Sequence, residues 1–355
     1  MFCQTVKLQV VRAVALLSVI FVAGCRSGAA PDFRALPPES EKVRARANEF
    51  AALWGQDASR SVLFRENDFA YYNENLAGLT ARLRAMKVNH AYLAAESLDV
   101  LDSRSKRAAM LDMITAFSDA GITCDIVLPQ HLFPGRRSGN FFGRVFGSGE
   151  TPFREALQYA VRMKRYLPDQ VPAPGVTVWA ALHRFTASNE LLPAGSRYRW
   201  SENDYGTGSD NDIIMKQFMA DLAVWREMAK VDNVPFSVAI PAFYHSKAAA
   251  GELSAGRVKD FLAVADTVLV MGYGERPSDY LRAIREVLRD DASGRIRCGM
   301  VLSGHMSESV GAIRRRSWQD FFKILSAMHQ SCKKQPGYGG MVLIPWQSVE
   351  LLQER

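Results

Sequence analysis

Short apolar runs and longer amphipathic stretches alternate along most of this chain. The apolar runs are Ser61–Phe64, His90–Ala95, Cys124–Leu128, Val176–Leu182, Phe236–Pro241, Thr267–Met271, Ile296–Leu302 and Gly340–Pro345. Most are apolar nearly throughout, as strands covered on both faces should be. Between them, helical periodicity spans Asn75–Met86, Ser105–Ala120, Pro152–Tyr166, Asp212–Lys230, Gly256–Ala265, Pro277–Asp290 and Ser317–Ser331, and a last helix begins near Gln347. In the helix from Asp212, the residues Ile213, Ile214, Phe218, Leu222, Trp225 and Met228 recur at three- and four-residue steps and form its expected buried stripe. Eight strand–helix repeats predict an α/β fold, a closed (β/α)8 TIM barrel over residues 60–355. A doubly wound open sheet is the alternative. It would more often carry a glycine-rich phosphate loop after its first strand, and the sequence has none there.

Ahead of the barrel the pattern changes. Lys7 and Arg12 precede an apolar run from Ala13 to Ala23. The run is shorter than the about 20 residues a spanning helix needs, and it has the layout of an export signal. It ends Val22-Ala23-Gly24-Cys25, which resembles the lipobox of bacterial lipoproteins. That resemblance implies a signal peptide over residues 1–24 and Cys25 as the lipidated first residue of the mature chain, held in the bilayer by its acyl chains. Residue 26 is Arg rather than Asp, which points to the outer membrane if the host has two. Residues 25–59, with Pro31, Pro37 and Pro38, read as a tether followed by a helix around Glu41–Trp54 leading into the barrel. The expected location is the cell envelope, on the outer membrane or facing the periplasm.

Composition narrows the partners. The 355 residues are 48% hydrophobic and 23% charged, which excludes a largely disordered chain. The net charge of +7 is spread, with short clusters such as Arg314-Arg315-Arg316 and no accompanying stripe or stacking motif, so no nucleic acid partner is expected. Cys3 leaves with the leader and Cys25 is consumed, leaving Cys124, Cys298 and Cys332. Cys298 opens a predicted strand and Cys332 ends the following helix, so a Cys298–Cys332 disulfide fits the geometry of one repeat and Cys124 would be a buried thiol. No cysteine pair has the short spacing of a zinc site.

Barrel enzymes build their sites at the carboxyl ends of the strands. Reading outward there gives Arg65, Glu66 and Asp68 after the first strand, Glu96 after the second, and Gln130 and His131 after the third. His183 and Arg184 follow the fourth, Tyr244 and His245 the fifth, Tyr273 and Glu275 the sixth, Ser303 and His305 the seventh, and Trp346 and Gln347 the eighth. Four of the six histidines thus hold equivalent places in the repeat. Tyr273 and Trp346 are read as ending opposite strands. Long polar loops, 133–151 and 185–211, would overhang the same end, the second bringing Tyr198 and Trp200. Aromatic rings that take apolar sugar faces, beside imidazoles, amides and carboxylates that take hydroxyls, suit a carbohydrate. The His-x-His pair usual on the first strand of barrel metallohydrolases is absent, so neither a metal nor another cofactor is expected.

Three segments together resemble the chitinase-type (family 18) branch of glycoside-hydrolase barrels. Met271-Gly272-Tyr273-Gly274-Glu275 resembles that family's sixth-strand ending. Gly339-Gly340-Met341-Val342-Leu343-Ile344-Pro345-Trp346 resembles its last strand, whose Trp floors the sugar site. Gly175-Val176-Thr177-Val178-Trp179-Ala180-Ala181-Leu182-His183 falls where the family has its fourth-strand acids. The resemblance implies a barrel that acts on a polysaccharide or glycan. It departs on strand four, where Trp179 and Ala181 replace an Asp and the catalytic Glu while His183 is kept. Glycoside hydrolysis ordinarily needs two carboxyls, or one with a participating substrate group, and Ala protonates nothing. Glu275 and Glu96 remain as acid/base candidates, and a catalytically silent, glycan-binding barrel is the favoured reading. A metal-assisted hydrolase using the histidines and a structural envelope lipoprotein stay open as alternatives.

Overall fold

A computed structural model of the chain describes residues 58–95, 103–129, 150–165, 174–179, 204–272, 277–301 and 318–344, with a few isolated positions besides. Contacts divide the chain into Met1–Arg44 and Ala45–Arg355, and the first unit lies outside the described residues. Eight strands, β1 (Ser59–Arg65), β2 (His90–Ala94), β3 (Thr123–Pro129), β4 (Gly175–Trp179), β5 (Phe236–Pro241), β6 (Thr267–Gly272), β7 (Ile296–Val301) and β8 (Tyr338–Ile344), close into a barrel in sequence order. All neighbours are parallel, and β8 closes on β1 with Ser59 opposite Gly340 and Val62 opposite Leu343. The open-sheet alternative is therefore excluded.

Helices lie between the strands: α1 (Phe69–Asn73), α2 (Leu76–Ala85), α3 (Arg104–Asp119), α4 (Glu150–Lys164), α5 (Asp210–Val231), α6 (Ala242–Ala249), α7 (Val258–Val264), α8 (Pro277–Arg289) and α9 (Trp318–Cys332). Short polar side chains start several of them by accepting backbone N–H groups that have no intrahelical partner. Asn75 takes Gly78 N–H at 2.9 Å, and Ser209 takes Asp212 N–H at 3.3 Å. Asp212 is itself buried. It accepts from Gly208 N, from Ser254 N and Oγ at 2.7 and 2.6 Å, and from Lys216 Nζ at 2.8 Å, so it ties the start of α5 to the loop after α6. Burial works against that charge, but the donors outweigh it and hold the carboxyl well below the usual range.

The core has two compartments because each strand sends alternate residues to opposite faces. Outward residues such as Val62, Phe64, Ile126, Val176, Val238, Val270 and Met300 pack under the helices. Inward residues Leu63, Tyr92, Ala94, Val127, Ala239, Leu269, Met271, Val342 and Ile344 fill the ring. The stripe of α5 is rotated from its sequence-based expectation. Ile214, Met215, Phe218, Leu222, Trp225 and Ala229 are buried, whereas Ile213 is 56% exposed.

Ring closure demands close backbone approach at the seam. Gly340 has φ +139°, and a Cβ there would lie 2.2 Å from Ser59 O and 2.6 Å from Ser59 N. Gly340→Ala is expected to cost at least about 2 kcal/mol, combining a backbone region nearly reserved for glycine with a collision against main chain. Gly121 at φ +75° has open space around it, so Gly121→Ala should cost only about 1–2 kcal/mol. Urea unfolding of both variants followed by circular dichroism checks the order.

Candidate functional site

In a parallel ring all strands point the same way, so all eight carboxyl ends form one rim. Neighbouring ends are held in register there: Arg65 by Ala94, Pro129 by Trp179, Pro241 by Met271, and Val301 by Ile344. Beneath the rim the ring is apolar, lined by Ala94, Val127, Ala239, Met271 and Ile344. From this rim β2, β3, β4, β6, β7 and β8 lead into segments that contain Glu96, Gln130, His131, His183, Arg184, Tyr273, Glu275, His305 and Trp346. Those nine residues lie outside the described residues, as do Cys25, the export leader and Ala181. The strand order does fix which of the strands they follow are neighbours. β2 and β6 stand four places apart, half-way round the ring. β6 and β8 flank β7, so the expectation that Tyr273 and Trp346 end opposite strands is corrected to next-but-one strands.

Two site candidates move away from the mouth. β5 passes directly into α6, so Tyr244 and His245 are helical residues directed into the outer layer. Tyr244 is fully buried, stacked on Phe261 with ring centres 6.4 Å apart and edge-on to Phe243 at 4.8 Å. His245 Nδ1 accepts the backbone N–H of Val258 at 3.3 Å, supplying a partner to the first turn of α7. Burial lowers its pKa, opposed by the Asp290 carboxylate 3.9 Å away. Sequence position alone counted residues past the strand; it did not register that a helix starting at once turns those side chains outward.

On the rim itself, Glu66 follows β1 and is buried beside α3, where Lys106 Nζ donates to its Oε1 at 2.8 Å. Among the described residues no group of three or more His, Cys, Asp or Glu could hold a metal ion.

The amino-terminal half of the ring holds a polar layer that strand-end reading missed. Asp125 accepts from Thr177 Oγ1 at 2.6 Å and faces His90 Nε2 at 3.5 Å, while His90 Nδ1 lies 2.7 Å from Thr123 Oγ1. Arg297 donates to the Tyr92 hydroxyl at 2.6 Å. Burial alone would raise the Asp125 carboxyl, but His90, Arg297 and Thr177 together hold it below the usual range. Burial, then the Arg297 charge, pushes His90 down, and burial pushes Tyr92 up to about 12. Gly175 is required beside this layer, since a Cβ there would meet Asp125 Oδ1 at 2.3 Å. The signal was present in the sequence: His90, Tyr92, Asp125, Thr177 and Arg297 all fall on inward positions of otherwise apolar strands. Polar groups at this end of a barrel serve stability.

With this geometry in view, no protein-family model matches the chain, and no curated protein sequence matches it. Solved structures are similar in shape. A GH18 chitinase from Pseudoalteromonas aurantia is 10% identical over 83% of this chain and 96% of its own, with a TM-score of 0.49. The PgaB (BpsB) glycoside hydrolase domain from Bordetella bronchiseptica is 13% identical over 83% and 98%, with a TM-score of 0.45. The spore cortex-lytic enzyme SleL of Bacillus megaterium QM B1551 is 11% identical over 84% and 73%, with a TM-score of 0.45.

Removing the Asp125 charge leaves Arg297 without its compensating carboxylate in a largely buried layer. Asp125→Asn should therefore lose about 1.5–3 kcal/mol in urea unfolding at pH 7. The sign with pH follows from the lowered folded value. The stabilisation is present above the unfolded carboxyl pKa and fades as pH falls through the folded one, so the gap between the two proteins should narrow in acid.

Proposed function

We propose that the chain is a lipid-anchored cell-envelope protein whose barrel binds a polysaccharide or glycan at the carboxyl rim. The observation that carries this reading is the closed parallel ring, which ends all eight strands on one side. A scatter of sequence positions thereby becomes a set of residues leaving a common rim. Tyr273 and Trp346 offer ring faces to a sugar, and His131, His183, His305, Gln130 and Arg184 offer hydrogen bonds to its hydroxyls. Tyr244 and His245 no longer belong to this set, because both are engaged among the helices.

Binding takes precedence over hydrolysis in this reading because β4 ends in Trp179 where the resembling family places an acid. The remaining pair, Glu96 and Glu275, follows strands half-way round the ring. An inverting reaction uses carboxyls about 6.5–9.5 Å apart, a retaining one about 5–5.5 Å. Strands on opposite sides favour the wider separation, so any hydrolysis by this pair would be inverting. Cys25, acylated after removal of the leader, anchors the protein to the envelope. Arg26 in place of Asp favours the outer membrane where there are two.

Affinity electrophoresis of the purified chain against soluble cell-wall and exopolysaccharides tests the binding. Retardation by at least one glycan is expected, weakened about 10-fold or more by Trp346→Ala. No retardation by any glycan, together with an envelope protein that co-purifies, would replace this reading with a structural role. Release of reducing ends that disappears in Glu275→Gln would make the barrel an active hydrolase. Cys25→Ser should abolish incorporation of labelled fatty acid and move the protein out of the membrane fraction.

A further inference from the structure

Away from the rim, two cysteines from different elements meet in the outer core. Cys298 is the third residue of β7, in register with Val270 and Met341, and faces the helices with Ile296 and Met300. Cys332 is the last residue of α9. Both are 0% exposed in one core cluster, and Tyr338, in register with Ile296 of β7, reaches His329 of α9 one turn before Cys332, which brings the end of α9 against the start of β7. Tyr280 of α8 and Tyr338 at the start of β8 flank the pair. The Tyr280 hydroxyl donates to Gly299 O at 3.0 Å, and its ring fills the space that a Cβ at Gly272 would take. The Tyr338 hydroxyl sits 2.9 Å from His329 Nδ1. Cys124 is buried on β3, four strands from β7 in the ring, so it does not compete for either partner.

We propose that Cys298 and Cys332, thiols in this structure, join as a disulfide whenever the chain folds under oxidising conditions, stapling the end of α9 to β7. The oxidant is a small-molecule or protein disulfide. One thiolate attacks it to form a mixed disulfide and release a first thiol, and the second cysteine then displaces the other thiol. Two S–H bonds are lost, one S–S bond forms within the chain, and the two electrons and two protons leave on the reduced oxidant. Exchange precedes final packing, because both sulfurs are enclosed in the finished core. The bridge spans the connection from β7 to α9, including Ser303 and His305, and so limits how far that part of the rim sequence can travel in the unfolded chain.

The test refolds the full chain from denaturant in a buffer of oxidised and reduced glutathione, independently of any glycan or membrane. Alkylation without reductant and trypsin digestion should give peptide 298–314 linked to peptide 324–333, separated by reductant. The oxidised protein should melt roughly 5–10 °C above the reduced protein, and Cys124→Ser should keep both the link and the difference. Recovery of Cys298 and Cys332 as separately alkylated peptides, or of either linked to Cys124, would overturn the proposal.

Discussion

The structure depends on one close approach, the seam where β8 meets β1. Parallel strands in a twisted sheet leave two open edges unless the last can reach the first. Here the last reaches the first through Gly340, whose missing side chain lets its backbone lie against Ser59. On its other edge β8 carries an irregularity, since the β7–β8 register shifts between Ile296 and Arg297, where Arg297 pairs with Gly340. Parallel pairing puts all eight strand ends on one side, and closure gathers them into a rim around one mouth.

What fills the ring differs between its two ends. Near the amino-terminal end Thr177 bonds Asp125, His90 faces Asp125 and Arg297 bonds Tyr92, and an apolar layer from Leu63 to Ile344 covers them. The polar layer fixes the relative positions of β2, β3, β4 and β7 through directional contacts, whereas the layer above is held by packing alone. A rim above apolar side chains is a low-dielectric floor, where aromatic faces and hydrogen-bonding groups discriminate most strongly. The Cys298–Cys332 contact lies outside this ring, between β7 and α9, and bears on how firmly one part of the rim sequence is tethered.

Much of the barrel was legible because strand and helix periods differ. Phe236–Pro241 agrees at both ends with β5, and His90 and Ile296 open β2 and β7 as expected. The helix α6 is not evident in the sequence: Pro241 is at once the last residue of β5 and the N-cap of α6, so Ala242-Phe243-Tyr244-His245 turns helical with no loop between. For the same reason Tyr244 and His245 read as mouth residues in the sequence although both are buried among the helices. The stripe of α5 was misjudged at Ile213 because Ile213 and Ile214 are adjacent apolar residues, and only packing decides which of the two turns inward. The polar floor was overlooked because Asp125 and Arg297 interrupt apolar runs singly, and their partners are remote in sequence. Glu96, Glu275, Tyr273 and Trp346 lie outside the described residues, so their grouping rests on the strands they follow.

The central claim is that the carboxyl rim of a closed barrel receives a sugar. A crystal structure of the mature chain with a bound oligosaccharide tests it directly. The account predicts the sugar across the ends of β6, β7 and β8, in contact with Tyr273 and Trp346, with the Glu96 and Glu275 carboxyls wider apart than a retaining pair. A sugar bound at the amino-terminal end near Arg297, or on the helical surface with the rim empty, would contradict it.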